Sequence, residues 1–236
     1  MNTPPLQVTV AALLVGRTQA YGPNGELSAI AKTPVAGAVA IGPNGLQGDQ
    51  QGDTRHHGGP DKAVHHYAAE HYPYWHQQLP PATPQPLAAS AFGENLSTTG
   101  ITEQDVCIDD IFKLGTAVLQ VSQARQPCWK LNSRFGVADM ALRVQSSGKT
   151  GWYYRVLTPG HAQAGDTLTL LERPQPHWPL SRLQHYLYTE PLNPAALTDI
   201  SLLPNLPTSW RNLVQARLNT GQLESWTRRM STPAKQ

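Results

Sequence analysis

Ala117-Val118-Leu119-Gln120-Val121-Ser122-Gln123-Ala124-Arg125-Gln126-Pro127-Cys128-Trp129-Lys130-Leu131-Asn132 is the stretch from which the rest of the chain can be read. Its first half, rich in Val, Leu and Ala and bounded by turn residues, predicts a strand. Pro127 forbids continuation of that strand, and its fixed φ suits a first helical turn. Cys128 is therefore expected where a strand hands over to a short helix, near the positive end of the helix dipole. Arg125 and Lys130 flank it. Both effects favour the thiolate, the form that attacks electrophiles and binds soft metals. The competing reading is a buried, inert thiol, because free Cys behaves as a small hydrophobe.

Working outward, Lys113-Leu114-Gly115-Thr116 predicts a hairpin turn that feeds this strand from Ile111-Phe112, and Val106-Cys107-Ile108 also reads as extended. Leu6 to Val15 reads as a first strand, Ser28 to Val35 as an edge interrupted by Pro34, and Ala38 to Ile41 as a short strand. Lys62 to Tyr67 alternates like a strand. A helix is expected from Glu70 to Leu79, a stiff polyproline-like link over Pro80 to Pro86, and another helix over Val137 to Val144. Gly151 to Leu157 and Thr167 to Leu171 are the last strand signals. Many short strands between regular turns, without βαβ alternation, imply a mainly β fold, a closed β-barrel with a few short helices. After residue 173 the spacing of Leu, Trp and Val turns helical over Leu180 to Leu187, Pro194 to Leu203 and Thr208 to Leu218. The expected division is a barrel domain over residues 1–173, a small three-helix domain over 174–230 that docks on the barrel or a partner, and a tail over 231–236.

The chain has 236 residues, 39% of them hydrophobic and only 14% charged, with 21 Pro and 19 Gly, enough for one sizeable core with many turns. A net charge of +2 is too weak to argue for nucleic acid, and Arg228-Arg229 reads as a solvated pair ahead of a frayed tail. With 2 Cys, a disulfide framework is not expected and reduced thiols suit a cytoplasmic protein. Met1 to Pro5 lacks the basic region of a secretory signal, and the apolar run Val8 to Val15 is far short of a membrane span.

Six histidines fall between residues 56 and 76: His56, His57, His65, His66, His71 and His76. A zinc site would need better spacing; no CxxC or His-Glu-x-x-His accompanies them, and adjacent His65 and His66 point to opposite faces of a strand. In His57-Gly58-Gly59-Pro60-Asp61-Lys62 the glycines would let backbone N–H groups approach an anion such as a phosphate, with His57 and Lys62 as further donors. The alternative is an ordinary tight turn. Ser147-Gly148-Lys149-Thr150 mimics the end of a P-loop but lacks the earlier glycine, since position 143 is Arg143. Asp109-Asp110 reads as a turn, Cys107 as packing, and one of Tyr153 and Tyr154 as a candidate to line a site.

Taken in order, Ser28-Ala29-Ile30-Ala31-Lys32, His57 to Ala63, Phe92-Gly93-Glu94-Asn95-Leu96-Ser97, Gln123 to Cys128 and Gly148 to Trp152 resemble the MOSC family, in particular its YiiM-type members, which detoxify hydroxylaminopurine. Two departures stand out: Ala124 where the family motif usually has Pro before Arg125, and Asp109 where the family often has Gly. The resemblance implies a barrel that binds molybdenum cofactor (Mo-molybdopterin), with Cys128 as the protein ligand to molybdenum and the catalytic residue. Arg125, Lys130, Asn132, His57, Gly58, Gly59, Lys62, Asn95, Lys32 and Tyr153 are the expected cofactor-binding residues, drawn together at a barrel rim. The implied reaction is reduction of N-hydroxylated compounds such as hydroxylaminopurines and amidoxime-like molecules. No flavin or iron–sulfur motif is present, so electrons must come from a separate donor protein such as a flavin reductase. The other expected partner is the small N-hydroxylated substrate; a homodimer is compatible, nucleic acid and membrane are not expected. Two rivals remain: a sulfur carrier holding a persulfide on Cys128, and a binding module in which Cys128 is structural.

Overall fold

The computed structural model describes residues 6–53 and 57–235, so the readings of Met1 to Pro5 and of His56 lie outside the described residues. Seven strands form the barrel: β1 (Gln7–Val15), β2 (Val64–Ala68), β3 (Leu96–Thr98), β4 (Ile111–Leu114), β5 (Ala117–Ala124), β6 (Trp152–Thr158) and β7 (Thr167–Glu172). They pair in the order β7-β4-β5-β6-β2-β3-β1, and β1 pairs back onto β7, so the sheet closes as expected. Closure removes the exposed edges that an open sheet would present. Neighbours are antiparallel except β2 and β3, which run parallel with His66 opposite Leu96. The predicted hairpin is there: Ala117 pairs with Leu114 across a two-residue turn whose Gly115 has φ +57.

Alternation along the strands decides which side chains enter the barrel. Val10, Val64, Phe112, Leu119, Val121, Trp152, Tyr154 and Leu168 share one buried apolar cluster. His66 sits among them against Trp152, its ring nitrogens 3.0 Å from the Tyr154 hydroxyl and 2.8 Å from Thr98 Oγ1. Burial pushes its pKa down to about 3. A second cluster, centred on Tyr67, Trp75, Phe92, Phe135 and Met140, packs α1 (His71–Gln78), α2 (Lys130–Phe135) and α3 (Met140–Ser147) outside the wall.

Helices α4 (Leu180–Tyr188), α5 (Pro194–Ser201) and α6 (Thr208–Thr220) follow, each at its predicted place. Leu183, Leu197, Ile200, Trp210 and Val214 belong to the same apolar cluster as the barrel interior residues, so the helical region docks on the barrel. No helix among the described residues is long and apolar enough to cross a membrane.

Four local expectations fail. Val106-Cys107-Ile108 makes only one isolated bridge, Cys107 with Pro179. Ile108 N–H donates to Trp178 at 3.0 Å and Leu180 N–H to Val106 at 2.8 Å, so its pairing partner is the segment leading into α4. Pro80 to Pro86 is turned, Thr83 N–H donating back to Pro80, instead of extended. The helix expected from Val137 starts at Met140, behind a turn that follows Gly136 at φ +65. Finally, Arg228-Arg229 is only half the solvated pair expected before a loose tail, Arg228 being exposed and Arg229 partly buried. It lies in a further short helix, α7 (Thr227–Met230), which returns to the loop around Cys128.

Candidate active site

Strand β5 ends at Ala124, and Arg125 N–H still bonds Gly151 across the wall at 2.9 Å. Gln126 to Trp129 then leave the sheet, and α2 begins at Lys130. The handover predicted at Cys128 is therefore real but longer than expected: Cys128 lies two residues ahead of the helix, its carbonyl accepting from Leu131 N–H at 3.0 Å. Pro127, lacking an N–H, is what makes the chain leave the ladder here.

Cys128 lies where two connected lobes of one cleft meet. The inner lobe is lined by Lys32, Asp49, His65, Asn95, Arg125 and Phe92; the outer by Gln123, Trp129, Arg228, Arg229, Pro233 and Glu26. His57, Lys62, Lys130, Tyr153 and Gly52 line both. Tyr153 pairs with His65 and Gln123 across adjacent strands, in opposite phase to the interior residues Trp152 and Tyr154. The cleft thus lies against the outer face of the barrel wall, not at the open rim that was anticipated.

His57 Nε2 is 3.3 Å from Cys128 Sγ, its other nitrogen 3.9 Å from the Asp53 carboxylate. Burial first, then the charges of Lys130 and Lys62, pushes the His57 pKa down to about 3, so the imidazole is neutral at physiological pH. Burial lowers the Lys62 pKa while the charge of Cys128 opposes it, which places the ammonium within electrostatic reach of the sulfur. The Lys130 ammonium donates to Leu27 at 2.7 Å and its backbone carbonyl accepts from the Tyr21 hydroxyl at 3.1 Å. Burial raises Tyr21 to about 12.

In the inner lobe, Lys32 is ion-paired with buried Asp49, which also accepts from Asn95 Nδ2 at 2.8 Å and from Gly16 N–H at 2.7 Å. Asn95 spends its remaining capacity on His65 N–H and on Leu14, so it braces the lobe. Arg125 Nη1 and His65 Nε2 are buried without a hydrogen-bond partner among the described residues. Leaving such groups unpaired costs about 1–3 kcal/mol each, so two in one lobe point to a polar guest.

Three expected binders are elsewhere. Asn132 donates Nδ2 to Met230 at 2.8 Å and caps Ala141 N–H with Oδ1 at 2.8 Å, so it ties helices together. Gly58 and Gly59 do not line the cleft. Gly59, at φ +92, turns the chain into the one-turn 3₁₀ helix Pro60–Lys62, which carries Lys62 inward. Ser122 and Gln123 hold that turn by donating to the Asp61 carbonyl at 2.5 and 3.2 Å. The remaining histidines scatter: His71 pairs with Glu103 at 2.7 Å and His76 is exposed. Among the described residues no cluster of His, Cys, Asp and Glu could hold a metal ion.

Sequence reasoning missed Asp49, His65 and the α7 segment. Asp49 stands in a stretch rich in Gly and Gln, and only the ion pair with Lys32 reveals its role. His65 shares a phase with Tyr153, and that register is not visible in either strand alone.

The barrel and the appended helices agree with what known proteins show. The MOSC domain matches residues 53–169. The YiiM-like, 3-alpha helix domain matches residues 178–221, and the chain belongs to the MOSC family in its YiiM-type branch. Protein YiiM of Escherichia coli (strain K12) is 40% identical over 215 residues, 91% of this chain and 95% of that one. The crystal structure of YiiM from Escherichia coli superposes with a TM-score of 0.80 at 33% identity, covering 96% of this chain and 100% of that one. A protein named Reductase from Gibberella moniliformis (strain M3125 / FGSC 7600) is 40% identical over 191 residues, 80% of this chain but only 34% of its own length.

Proposed function

We propose that this protein is a molybdenum-cofactor-dependent reductase of N-hydroxylated compounds, with Cys128 as the protein ligand to the metal. The observation that carries this reading is the setting of Cys128: a thiol at the junction of two lobes, 3.3 Å from a neutral imidazole and faced by Lys62 and Lys130. The donor set fits the group. A soft metal takes a thiolate. A phosphate takes the cations that Arg125, Lys62 and Lys130 offer, and a polar heterocycle can also meet the unpartnered ring nitrogen of neutral His65. Membership of the MOSC family and the likeness to a fungal protein named Reductase support reductive chemistry.

Bound, the cofactor would supply the two-electron reduction of the N–O bond, releasing amine and water. The chain's own residues do the rest. Lys62 and Lys130 line the cleft on both of its lobes beside Cys128 and place positive charge there. His57, held neutral, does not form an imidazolium–thiolate pair; its Nε2–H can donate to the sulfur. Arg125 and His65 anchor the guest in the inner lobe, and the outer lobe, walled by Trp129 and Gln123, remains for substrate. Electrons come from a separate donor protein. The Gibberella relative, about three times the length matched here, has room for such a part in its own chain.

Elemental analysis and pterin fluorescence on protein made in a cofactor-competent host test the reading. Wild type should carry molybdenum and reduce a hydroxylaminopurine, and Cys128→Ser should do neither. Equal metal and equal reduction in both would reject it. A labile added sulfur on Cys128 by intact mass, with no pterin, would favour the sulfur carrier.

A further inference from the structure

The segment after α6 is a built part of the site. Residues 222–235 lie beyond both matched domains, the second of which ends at residue 221. Yet this segment meets the Cys128 loop at the residue before it, the residue after it, and at Asn132. Arg229 Nη1 donates to the Pro127 carbonyl at 2.7 Å, and Trp129 N–H donates to the Arg229 carbonyl at 2.8 Å. The Met230 carbonyl accepts from Asn132 Nδ2 at 2.8 Å.

Arg229 is itself held. Its Nη2 donates to Gln145 Oε1 at 2.7 Å, and its guanidinium lies 5.9 Å from the Tyr188 ring and 6.0 Å from the Trp226 ring. Upstream, Glu224 takes two hydrogen bonds from buried Arg217 at 2.9 and 2.6 Å and one from Trp226 Nε1 at 2.8 Å. The clamp is therefore anchored in the helical region at one end and closes on the cysteine loop at the other.

We propose that Arg229 is a positioning residue for Cys128, fixing the loop on both sides of the sulfur. Pro127 donates nothing and the loop belongs to no sheet, so these bonds replace the ladder that β5 loses at Ala124. A planar fork with donors on both nitrogens spans Pro127 and Gln145 together; an ammonium reaches only one.

The test uses the full-length, metal-free chain, so it stands apart from the cofactor reading, and its readout is the iodoacetamide alkylation rate at each cysteine by peptide mass. Arg229→Ala keeps the backbone bond to Trp129 but removes those to Pro127 and Gln145, and should raise the Cys128 rate by about fivefold, with Cys107 unchanged and Arg229→Lys in between. Should Arg229→Ala not fold, Gln145→Leu removes one anchor without touching the loop and should raise the Cys128 rate by about twofold to threefold. A Cys128 rate unchanged in the variants that fold overturns the proposal. So does an equal rise at Cys107, which would mean general loosening.

Discussion

The two cysteines are almost equally hidden, Cys107 at 3% and Cys128 at 8% exposure, yet their surroundings have opposite chemistry. Cys107 sits in the segment bridged to Pro179, its thiol directed at the Pro176 carbonyl and its N–H donating to buried Asp110 at 2.9 Å. Burial and the Asp110 charge push that thiol up to about 11. Cys128 has an imidazole at 3.3 Å and opens onto a cleft that Lys62 and Lys130 line. Burial alone therefore says nothing about what a thiol does; the sign of the neighbouring charge and the presence of a cavity do.

The sharpest way to break this contrast is to remove each sulfur. Cys128→Ser should abolish molybdenum retention and lower reduction of a hydroxylaminopurine by a hundredfold or more, on the order expected for loss of a metal ligand. Cys107→Ser should retain both within about twofold and cost only packing. Comparable losses in the two variants would remove the distinction.

The next effect is on stability. Asp110 is fully buried and bidentate with Arg173, at 2.7 and 3.0 Å. Arg173→Ala leaves that buried carboxylate without its counter-ion, held among the described residues only by the Cys107 N–H, and should cost about 3 kcal/mol in denaturant unfolding, while leaving the Cys128 alkylation rate unchanged. If the rate at Cys128 moves with it, the two regions are not independent.

The third prediction concerns pH. Because burial and the Asp110 charge hold the folded thiol of Cys107 near 11, its alkylation should rise about tenfold per pH unit from pH 8 to 10. The linked stability has a definite sign. A pKa raised on folding favours the native state while the thiol is protonated, and that contribution fades as pH rises from about 9 toward 11. Cys107→Ala should flatten thermal stability across that window.

Cys128, Arg125 and Lys130 were legible because a strand, a proline and two cations fall within fourteen residues of one another, and local chain chemistry dictates their geometry. His57 and Lys62 were legible as donors beside the glycine pair, and Tyr153 as one of two site candidates, whereas Lys32 and Asn95 were legible only through the order of motifs in the family; nothing in their own windows fixes where they meet. His65, Asp49 and Arg229 were not legible. Each depends on register or on the chain returning from a distance: Asp49 is 46 residues from its partner Asn95, and Arg229 is 102 from Pro127. Asp109 carries a different lesson. The sequence reads a turn at Asp109-Asp110, with Asp109 where the resemblance implies Gly, and Asp109 adopts the left-handed region at φ +64, buried and 3.8 Å from Arg155. Aspartate tolerates that region better than most residues, so the turn survives the substitution.

The smallest effect addresses the glycine pair, where the sequence suggested a phosphate cradle and the structure shows a hinge. A Cβ at Gly59 would meet no atom within 4 Å, so Gly59→Ala tests backbone conformation alone. At φ +92 and ψ 172 the residue occupies a region that only glycine adopts readily, and the substitution should cost about 1–2 kcal/mol. If the glycines only aim Lys62 and His57, the variant should bind cofactor with its stoichiometry intact and with affinity reduced about threefold, through a small displacement of those side chains. If their N–H groups touched the phosphate, loss would exceed tenfold, as for other charge-assisted hydrogen bonds, and the contrast between a hinge at Gly59 and a binding surface at Arg125 and His65 would be lost.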